Sequence, residues 1–327
     1  MREHAQPLRI GILGAARIAR RAIIEPAKQR NDVEVTCVAS RDQERGRQFA
    51  SQYEVPRVAK NYDDVVCDDN VDLVYVALPP AFHAEWSIKA LLRGKAVLCE
   101  KPCALTAIET EEVVRCAKEM NGIFLEAFHY RFHPAVLRAI KIAQGSLGQL
   151  IEGTLIFHGR IPYEQSELRW RPDLGGGALM DFGCYPVHIL RTITGEEPSI
   201  IESTMEMRHG VDAKVSAILT FPCGLTAVIN CSMIEDKTDL SLRLRGTKGE
   251  LIVSNYVVPH FGCDVTATGE EVIAERYDGP ASYDYQLDHV VNVLRRKTKP
   301  LTGGRDAVAN MSALDKIAAS ATRLGVS

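Results

Sequence analysis

The sequence lacks the features that mark membrane, secreted and nucleic-acid-binding proteins. No apolar run approaches the roughly twenty residues that a membrane-spanning helix needs. The N-terminal segment has no apolar stretch typical of a signal peptide, so we expect a cytoplasmic protein without membrane contacts. A net charge of −3 argues against broad binding to nucleic acids. Nine cysteines occur without a C-x-x-C pair, which indicates reduced thiols and predicts no metal site.

The remaining composition is typical of a globular protein with two domains. Of the 327 residues, 46% are hydrophobic and 25% are charged, and the chain is long enough for two separate cores. We expect a first domain over residues 1–127, where strand and helix patterns alternate, and a second over residues 128–302. The last segment, 303–327, is an apolar-periodic helix that we expect to pack on the first domain.

The first domain is predicted to be a doubly wound parallel sheet. Almost continuously apolar strand patterns lie at 33–39, 71–78, 96–99 and 123–126, and helical patterns lie at 42–52, 83–93 and 106–120. Thr106 and Glu109 form a capping-box signature for the last of these helices. Ligands of such sheets bind at the carboxyl ends of the strands.

The second domain is predicted to be an α+β domain with a large, mostly antiparallel, open-faced sheet. Its strand patterns alternate apolar and polar residues, as in sheets with one solvated face, and lie at 150–158, 200–208, 213–221, 225–232 and 240–244. Helical patterns at 133–145, 178–194 and 283–297 are expected to back this sheet.

A loop of small residues predicts a dinucleotide site in the first domain. Gly14, Ala16 and Ala19 occupy the three small positions of a G-x-G-x-x-G motif that follows an apolar strand. This arrangement lets backbone N–H groups at a helix N-terminus approach a pyrophosphate. The alternative is a strand-to-helix turn that needs glycine for tight geometry only.

The end of the second strand pattern favours NADP over NAD. Ser40 and Arg41 follow this strand, and Arg45 lies one helical turn further on. An NAD-binding domain usually carries an acidic residue there for the ribose hydroxyls, whereas a hydroxyl with two guanidinium groups suits a 2′-phosphate. A solvated pair of arginines is the alternative.

Two further segments carry candidate catalytic groups. Lys101, in Glu100-Lys101-Pro102, follows a strand pattern and could orient a substrate hydroxyl, although a strand-end ion pair is equally compatible. A triple-glycine loop then precedes a helix with Asp181 and Tyr185 four residues apart. A tyrosine ionises near about pH 10, so it needs a nearby cation to act as a base, and the alternative is a core residue.

These motifs together resemble the Gfo/Idh/MocA oxidoreductase family over nearly the full chain. The similarity rests on the segments Gly11–Ala19, Ala39–Arg41, Leu78–His83, Glu100–Pro102, Glu126–Pro134 and Gly175–Tyr185. The chain is most similar to the branch of glucose-fructose oxidoreductase, dimeric dihydrodiol dehydrogenase and NADP-linked D-xylose dehydrogenase, which pairs the lysine with a tyrosine. The inositol dehydrogenase branch has histidine at the position of Tyr185, and the dihydrodiol dehydrogenases have tryptophan at the position of His129.

The resemblance implies reversible hydride transfer between C4 of a nicotinamide and a carbinol carbon of a sugar or cyclic polyol. Tyr185 is implied to take the hydroxyl proton, Lys101 to stabilise the phenolate, and Asp181 to orient Lys101 or a second hydroxyl. The implied cofactor-binding residues are Gly11, Gly14, Ala15, Ala16, Arg17, Ile18, Ser40, Arg41, Arg45, Leu78, Pro79, His83, Glu100 and Lys101. The implied substrate-binding residues are His129, Arg131, Trp170, Arg171, Tyr185 and His188. A homodimer or homotetramer without metal is expected.

Three alternatives stay open at this point. Trans-dihydrodiol dehydrogenase activity is the first, because Phe128, Phe132 and Trp170 could supply apolar pocket walls. A non-catalytic NADP-sensing regulator on the same fold is the second. The third is an enzyme that uses NAD transiently, for example in glycosidic bond cleavage.

Overall fold

The computed structural model describes residues 6–270 and 272–325. The chain divides into two compact units. The first contains the residues up to His129 together with Tyr283–Val308, and the second contains Tyr130–Ser282 and the residues from Ala309 onward. Within the described residues, no helix combines the length and the apolar character that crossing a membrane requires.

The first unit is built on a parallel sheet of six strands, as the sequence predicted. The strand order is β3-β2-β1-β4-β5-β6, the order of a doubly wound dinucleotide-binding fold. Neighbouring strands run parallel throughout. The strands are β1 (Leu8–Leu13), β2 (Val33–Ala39), β3 (Val58–Ala59), β4 (Leu73–Val76), β5 (Ala96–Cys99) and β6 (Phe124–Glu126).

Some helices of the first unit begin at a side-chain cap, which Asp42, Asn61 and Thr106 provide. They are α1 (Arg17–Ala19), a π-helical turn (Arg20–Ile24), α2 (Glu25–Lys28), α3 (Gln43–Tyr53), α4 (Tyr62–Val66), α5 (His83–Leu92) and α6 (Ala107–Glu119). Thr106 accepts a hydrogen bond from the Glu109 N–H at 3.2 Å, and Glu109 accepts one from the Leu105 N–H at 2.9 Å. The capping signature read from the sequence therefore marks the true start of α6.

The second unit contains a ten-stranded sheet that is mostly antiparallel, again as predicted. The path of the sheet is β15-β14-β13-β12-β7-β10-β9-β8-β16, with β11 paired to β7. The β7–β10 and β8–β16 pairs are parallel. The strands are β7 (Leu150–Arg160), β8 (Ser199–Arg208), β9 (Val211–Thr220), β10 (Thr226–Ser232), β11 (Ile234–Asp239), β12 (Leu242–Gly246), β13 (Glu250–Val253), β14 (Cys263–Thr268), β15 (Ile273–Tyr277) and β16 (Ala321–Gly325).

Four later helices complete the chain. They are α7 (Pro134–Gly145), α8 (Cys184–Thr194), α9 (Ser282–Leu294) and α10 (Arg305–Ser320), and a π-helical turn (Leu179–Gly183) leads directly into α8. Most of α9 belongs to the first unit, whereas the sequence assigned residues 283–302 to the second domain. Ion pairs with the segment before β2 hold α9 in the first unit, Arg295 with Asp32 at 2.8 Å and Arg30 with Asp288.

The C-terminal segment differs from the helix predicted over residues 303–327. Helix α10 ends at Ser320, and residues 321–325 form β16, which pairs with β8 in the second unit. The Ser203 hydroxyl in β8 donates to the Ile317 carbonyl oxygen at 2.8 Å and lies 2.9 Å from the Ser320 hydroxyl. Residues 321–325 are extended because the edge of β8 offers backbone hydrogen-bond partners that a helix would leave unpaired.

Candidate functional site

The predicted cofactor residues of the first unit gather at one edge of the parallel sheet. Gly14, Ser40 and Leu78 follow the carboxyl ends of β1, β2 and β4, and Lys101 follows β5. The order of strands reverses between β1 and β4, which is where such sheets open a crevice for a ligand. The first half of the candidate site is therefore a single edge of one sheet.

The loop after β1 has the shape that a pyrophosphate needs. Gly14 has a φ of 102°, and a Cβ at this position would overlap the carbonyl oxygen of Ala77. Ala16 caps α1 without a side-chain hydrogen bond, and the start of a helix is where backbone N–H groups can meet an anion. Ala15 is buried and Ala16 is half-buried beneath this opening.

Gly11 does not belong to the loop after β1 that would approach a pyrophosphate. It lies inside β1 and is buried, and a Cβ there would come within 2.6 Å of the Val65 side chain and 3.0 Å of Val71. The expectation that Gly11 contacts the cofactor is corrected, because its missing side chain makes room for α4 to pack on the sheet.

At the end of β2, the Arg41 side chain is exposed and the neighbouring Asp42 caps α3. Ser40 is buried, while Arg41 is exposed. The Asp42 carboxylate caps α3 by accepting hydrogen bonds from the N–H groups of Glu44 and Arg45 at 2.9 and 3.0 Å. One carboxylate oxygen of Asp42 is therefore engaged at the start of α3, while the residue itself is exposed.

Arg45 has a different partner from the one the sequence suggested. Its guanidinium donates to the carbonyl oxygen of Ala15 at 3.0 Å, so it ties α3 to the loop after β1. Tyr62, which the sequence did not single out, lies beside both arginines. Burial raises the pKa of Tyr62, and this shift is opposed by a hydrogen bond from the Arg41 backbone and by the charges of Arg41 and Arg45.

The segment after β5 is anchored on both sides of Lys101. Tyr75 in β4 donates a hydrogen bond to the Glu100 carboxylate at 2.5 Å, and burial raises the pKa of this fully enclosed Tyr75. The N–H of Cys103 donates to the carboxylate of Glu126, the last residue of β6, at 3.0 Å. Lys101 itself is half-buried and lies between these two anchors in the chain.

His83 is enclosed rather than exposed to a ligand. Its ring is 1% exposed and lies 2.6 Å from the carbonyl oxygen of Leu78 and 2.7 Å from that of Pro102. The expectation that His83 touches the cofactor is therefore corrected, since both ring nitrogens face protein. Leu78 and Pro79 are half-buried beside it. His129 is also enclosed in the first unit, with its ring 4.1 Å from that of Tyr283.

In the second unit, Asp181 is held by an arginine that the sequence did not single out. The Arg169 guanidinium donates to Asp181 at 2.6 Å and to Glu167 at 2.9 Å. The Asp181 charge strengthens the hold of Arg169 on its proton and raises the pKa of Arg169. The Arg169 carbonyl oxygen also accepts from the Gly177 N–H at 3.0 Å, so one residue holds the end of the glycine loop and the turn that follows it.

Tyr185 lies among aromatic rings at the start of α8. Its ring centroid is 5.5 Å from that of Tyr130 and 5.6 Å from that of Phe157. The Tyr130 hydroxyl and the His188 Nδ1 atom are 2.6 Å apart. His188 is 1% exposed, so it supports Tyr130 from the interior and is not the open substrate contact that the sequence suggested.

Of the remaining residues predicted to bind substrate, one is buried and two are partly exposed. Trp170 is buried and donates to the Ile161 carbonyl oxygen at 3.1 Å. Arg171 is paired with Asp173 through two hydrogen bonds of 2.8 and 2.6 Å. Contact of either side chain with the substrate stays a prediction. Arg131 is half-buried in the short turn His129–Phe132.

Asp212 is a second site residue that the sequence did not reveal. From β9, its carboxylate accepts a hydrogen bond from the Leu179 N–H at 2.6 Å, at the start of the π-helical turn that carries Asp181. Burial raises the pKa of Asp212 to about 6, against the effect of backbone N–H groups that favour the charged form. No local signal indicates this contact, because the two residues lie 33 positions apart.

No metal centre accompanies these groups in the part of the chain that the structure describes. No set of three or more histidine, cysteine, aspartate and glutamate side chains is placed to hold a metal ion there.

Comparison with known proteins identifies the family. Residues 8–128 match the model of the oxidoreductase family with an NAD-binding Rossmann fold, and residues 138–252 match the GFO/IDH/MocA C-terminal domain. A D-xylose 1-dehydrogenase (NADP(+)) of Haloferax volcanii is 33% identical over 95% of this chain and 96% of its own. A trans-1,2-dihydrobenzene-1,2-diol dehydrogenase of Macaca fascicularis is 30% identical over 83% of each chain.

A solved structure extends this similarity to the whole fold. KijD10, a 3-ketoreductase from Actinomadura kijaniata in complex with NADP and TDP-benzene, superposes with a TM-score of 0.89 at 25% identity. The match covers 98% of this chain and 100% of that chain. On both domain matches and this full-length similarity, the chain belongs to the GFO/IDH/MocA family of NAD(P)-dependent oxidoreductases.

Proposed function

We propose that the chain transfers hydride between NADP and a carbinol carbon of a sugar or cyclic polyol, with Lys101 and Tyr185 as its acid–base pair. The observation that carries the choice of cofactor is the end of β2. Arg41 is exposed there while the Asp42 carboxylate is committed to capping α3. An exposed guanidinium at this strand end favours a 2′-phosphate over a ribose diol. The NADP-linked names of the xylose dehydrogenase and of the ketoreductase complex support the same cofactor.

Two features of the first unit suit the pyrophosphate of NADP. Gly14 leaves room for a close approach, and the uncapped start of α1 offers N–H groups to the pyrophosphate. When bound, the nicotinamide supplies the hydride donor or acceptor, and the protein supplies position and proton transfer.

Lys101 and Tyr185 are assigned the proton transfer. In the oxidative direction, the Tyr185 phenolate, which the Lys101 ammonium stabilises, accepts the substrate hydroxyl proton and becomes a neutral phenol. Asp181 accepts a hydrogen bond from Arg169, and its carboxylate is assigned as an acceptor for a substrate hydroxyl or for Lys101. Each assignment rests on the place that the residue occupies within its own unit and on the family pattern.

Two substitutions test this assignment. Lys101→Met and Tyr185→Phe should each lower kcat by about two to four orders of magnitude, the usual scale for lost acid–base assistance. The Kd for NADP should change little, because neither group is needed for the pyrophosphate or the 2′-phosphate. Near-full activity of Tyr185→Phe would contradict the proposed role of Tyr185.

A buried tyrosine of the same unit provides the matched control. Tyr256 is fully buried, and its hydroxyl has no hydrogen-bond partner among the described residues. Tyr256→Phe should therefore retain wild-type kcat, which separates a specific loss at Tyr185 from a general effect of removing a hydroxyl.

An aromatic trans-dihydrodiol is the second candidate substrate, because relatives with that name cover most of the chain. The structure weakens the aromatic-wall argument for it, since Phe128, Phe132 and Trp170 are all buried. A panel of aldoses, inositols, lactones and dihydrodiols with NADP decides between them. Turnover of dihydrodiols alone would contradict the sugar assignment, and NADP binding without any turnover would indicate a sensor.

We also propose that the chain forms a homo-oligomer through the open face of its ten-stranded sheet. On the partly exposed face, Ile218 of β9 lies opposite Val228 of β10, and the same row continues through Thr154 and Arg243 to Ile252 of β13. Apolar residues in a row on a solvated sheet face favour association. Light scattering should give a mass above that of one chain, and Ile252→Glu should lower it.

A further inference from the structure

His83 joins two loops of the candidate site from inside the protein. Leu78 follows β4 and Pro102 follows β5, and these two strands are paired, with Val76 opposite Cys99. The imidazole of His83 lies between the two loops, within hydrogen-bond distance of a carbonyl oxygen on each side. The spacing of the loops is therefore fixed by one ring.

The protonation state of His83 decides how it holds them. Carbonyl oxygens only accept hydrogen bonds, and a neutral imidazole carries a single N–H. Burial lowers the pKa of His83 to about 4, the Lys101 charge acts in the same direction, and the two carbonyl oxygens oppose both. Because burial outweighs the carbonyl contacts, the ring is neutral near neutral pH. In the tautomer that carries its proton on Nδ1, the ring donates to the carbonyl oxygen of Pro102.

The contact at Pro102 completes a set of anchors around Lys101. Tyr75 holds the Glu100 side chain on one side, and Glu126 holds the Cys103 N–H on the other. His83 holds the Pro102 carbonyl, on the residue bonded directly to Lys101. Proline has a fixed φ, so a shift of its carbonyl is passed to the lysine with little freedom to absorb it.

We propose that His83 is a positioning residue for Lys101, setting the place of the lysine backbone through the carbonyl of Pro102. This role rests on the proposed function of Lys101. An apolar side chain could fill the same volume but could not hold either carbonyl. A displacement of a catalytic group by about 1 Å costs on the order of a hundredfold in rate.

Three variants of the full-length protein test this role. His83→Leu removes both ring nitrogens, and His83→Gln restores an N–H group that does not titrate. Ser87→Ala is the matched control, because Ser87 is buried one turn later on α5 and contacts neither loop carbonyl. His83→Leu should lower kcat by about tenfold to a hundredfold with little change in the Kd for NADP. His83→Gln should recover most of this loss.

A second measurement reads the position of Lys101 without turnover. The rate of Lys101 acetylation by acetic anhydride, followed by mass spectrometry over a range of pH, reports the exposure and the pKa of the amine. This profile should shift in His83→Leu, return towards wild type in His83→Gln, and stay unchanged in Ser87→Ala.

The outcomes separate the two proposals. Full activity of Lys101→Met would refute the proposed function, while the acetylation profile would still test His83. If His83→Leu and Ser87→Ala lose the same thermal stability and show the same kcat and the same acetylation profile, His83 is only a core residue. A glutamine variant no better than the leucine variant would also overturn the positioning role.

Discussion

Arg41 and Arg45 should affect cofactor choice in different ways, although both lie near the end of β2. Arg41→Ala removes a side chain that is exposed at the place where a 2′-phosphate would bind. A hydrogen bond to a charged group contributes about 1.5–3 kcal/mol, which is about tenfold to 150-fold in affinity. We expect this loss for NADP and almost none for NAD. The wild-type protein should itself prefer NADP by at least about tenfold.

Arg45→Ala is the informative comparison. Its guanidinium donates to Ala15 in the loop after β1, so its loss should loosen the pyrophosphate site that both cofactors share. The ratio of the two Kd values should then stay closer to that of the wild type than in Arg41→Ala. Fluorescence titration with NADPH and NADH measures both constants. Equal affinities of the wild-type protein for the two cofactors, or an unchanged ratio in Arg41→Ala, would refute the reasoning.

Three more predictions concern conformation and pH. Gly14→Ala should weaken NADP binding and lower Tm, because the residue has a φ of 102° and a Cβ would overlap the Ala77 carbonyl; normal binding in a titration would contradict this. The pKa of Asp212 is raised to about 6, so the folded state binds a proton at this carboxyl more tightly than the unfolded state does. Its contribution to the free energy of unfolding should therefore rise by about 3 kcal/mol as pH falls from 6 towards 4. In urea unfolding, the stability of Asp212→Asn should fall more steeply with decreasing pH than that of the wild type. Burial lowers the pKa of His133 to about 4, so stability falls by about 3 kcal/mol as pH drops from 6.5 to 4. His133→Asn, which keeps an acceptor for the Ala135 N–H, should flatten that decline in the same assay.

Local patterns predicted the type of both sheets, because strand alternation, caps and glycine turns depend on neighbouring residues. They did not predict β3 in the first sheet or β11, β13, β14, β15 and β16 in the second. The capping box at Thr106 and the strand at Val33–Ala39 lie where the sequence placed them. The two π-helical turns were not predicted, because a shift of the hydrogen bonds by one residue leaves the apolar period almost unchanged.

The sequence indicated which strand ends and loops carry the candidate site residues, but not which side chains these residues contact. Arg169 and Arg171 are indistinguishable in the sequence, yet one pairs with Asp181 and the other with Asp173. Ser203 meets Ile317 across 114 positions, a distance at which no local pattern gives information. The sequence placed functional groups at strand ends, and only the folded chain shows which of them face inward.

The divided first unit has a consequence for folding during synthesis. Its six-stranded sheet is complete once Glu126 has been made, but α9 joins it only after more than 150 further residues, from Tyr130 to Ser282, have left the ribosome. Those residues form the second unit, whose edge strand β16 is in turn among the last to appear. Neither unit can therefore complete its fold before synthesis of the other has begun. A ribosome stalled between residues 130 and 282 would hold a nucleotide-binding sheet that lacks α9.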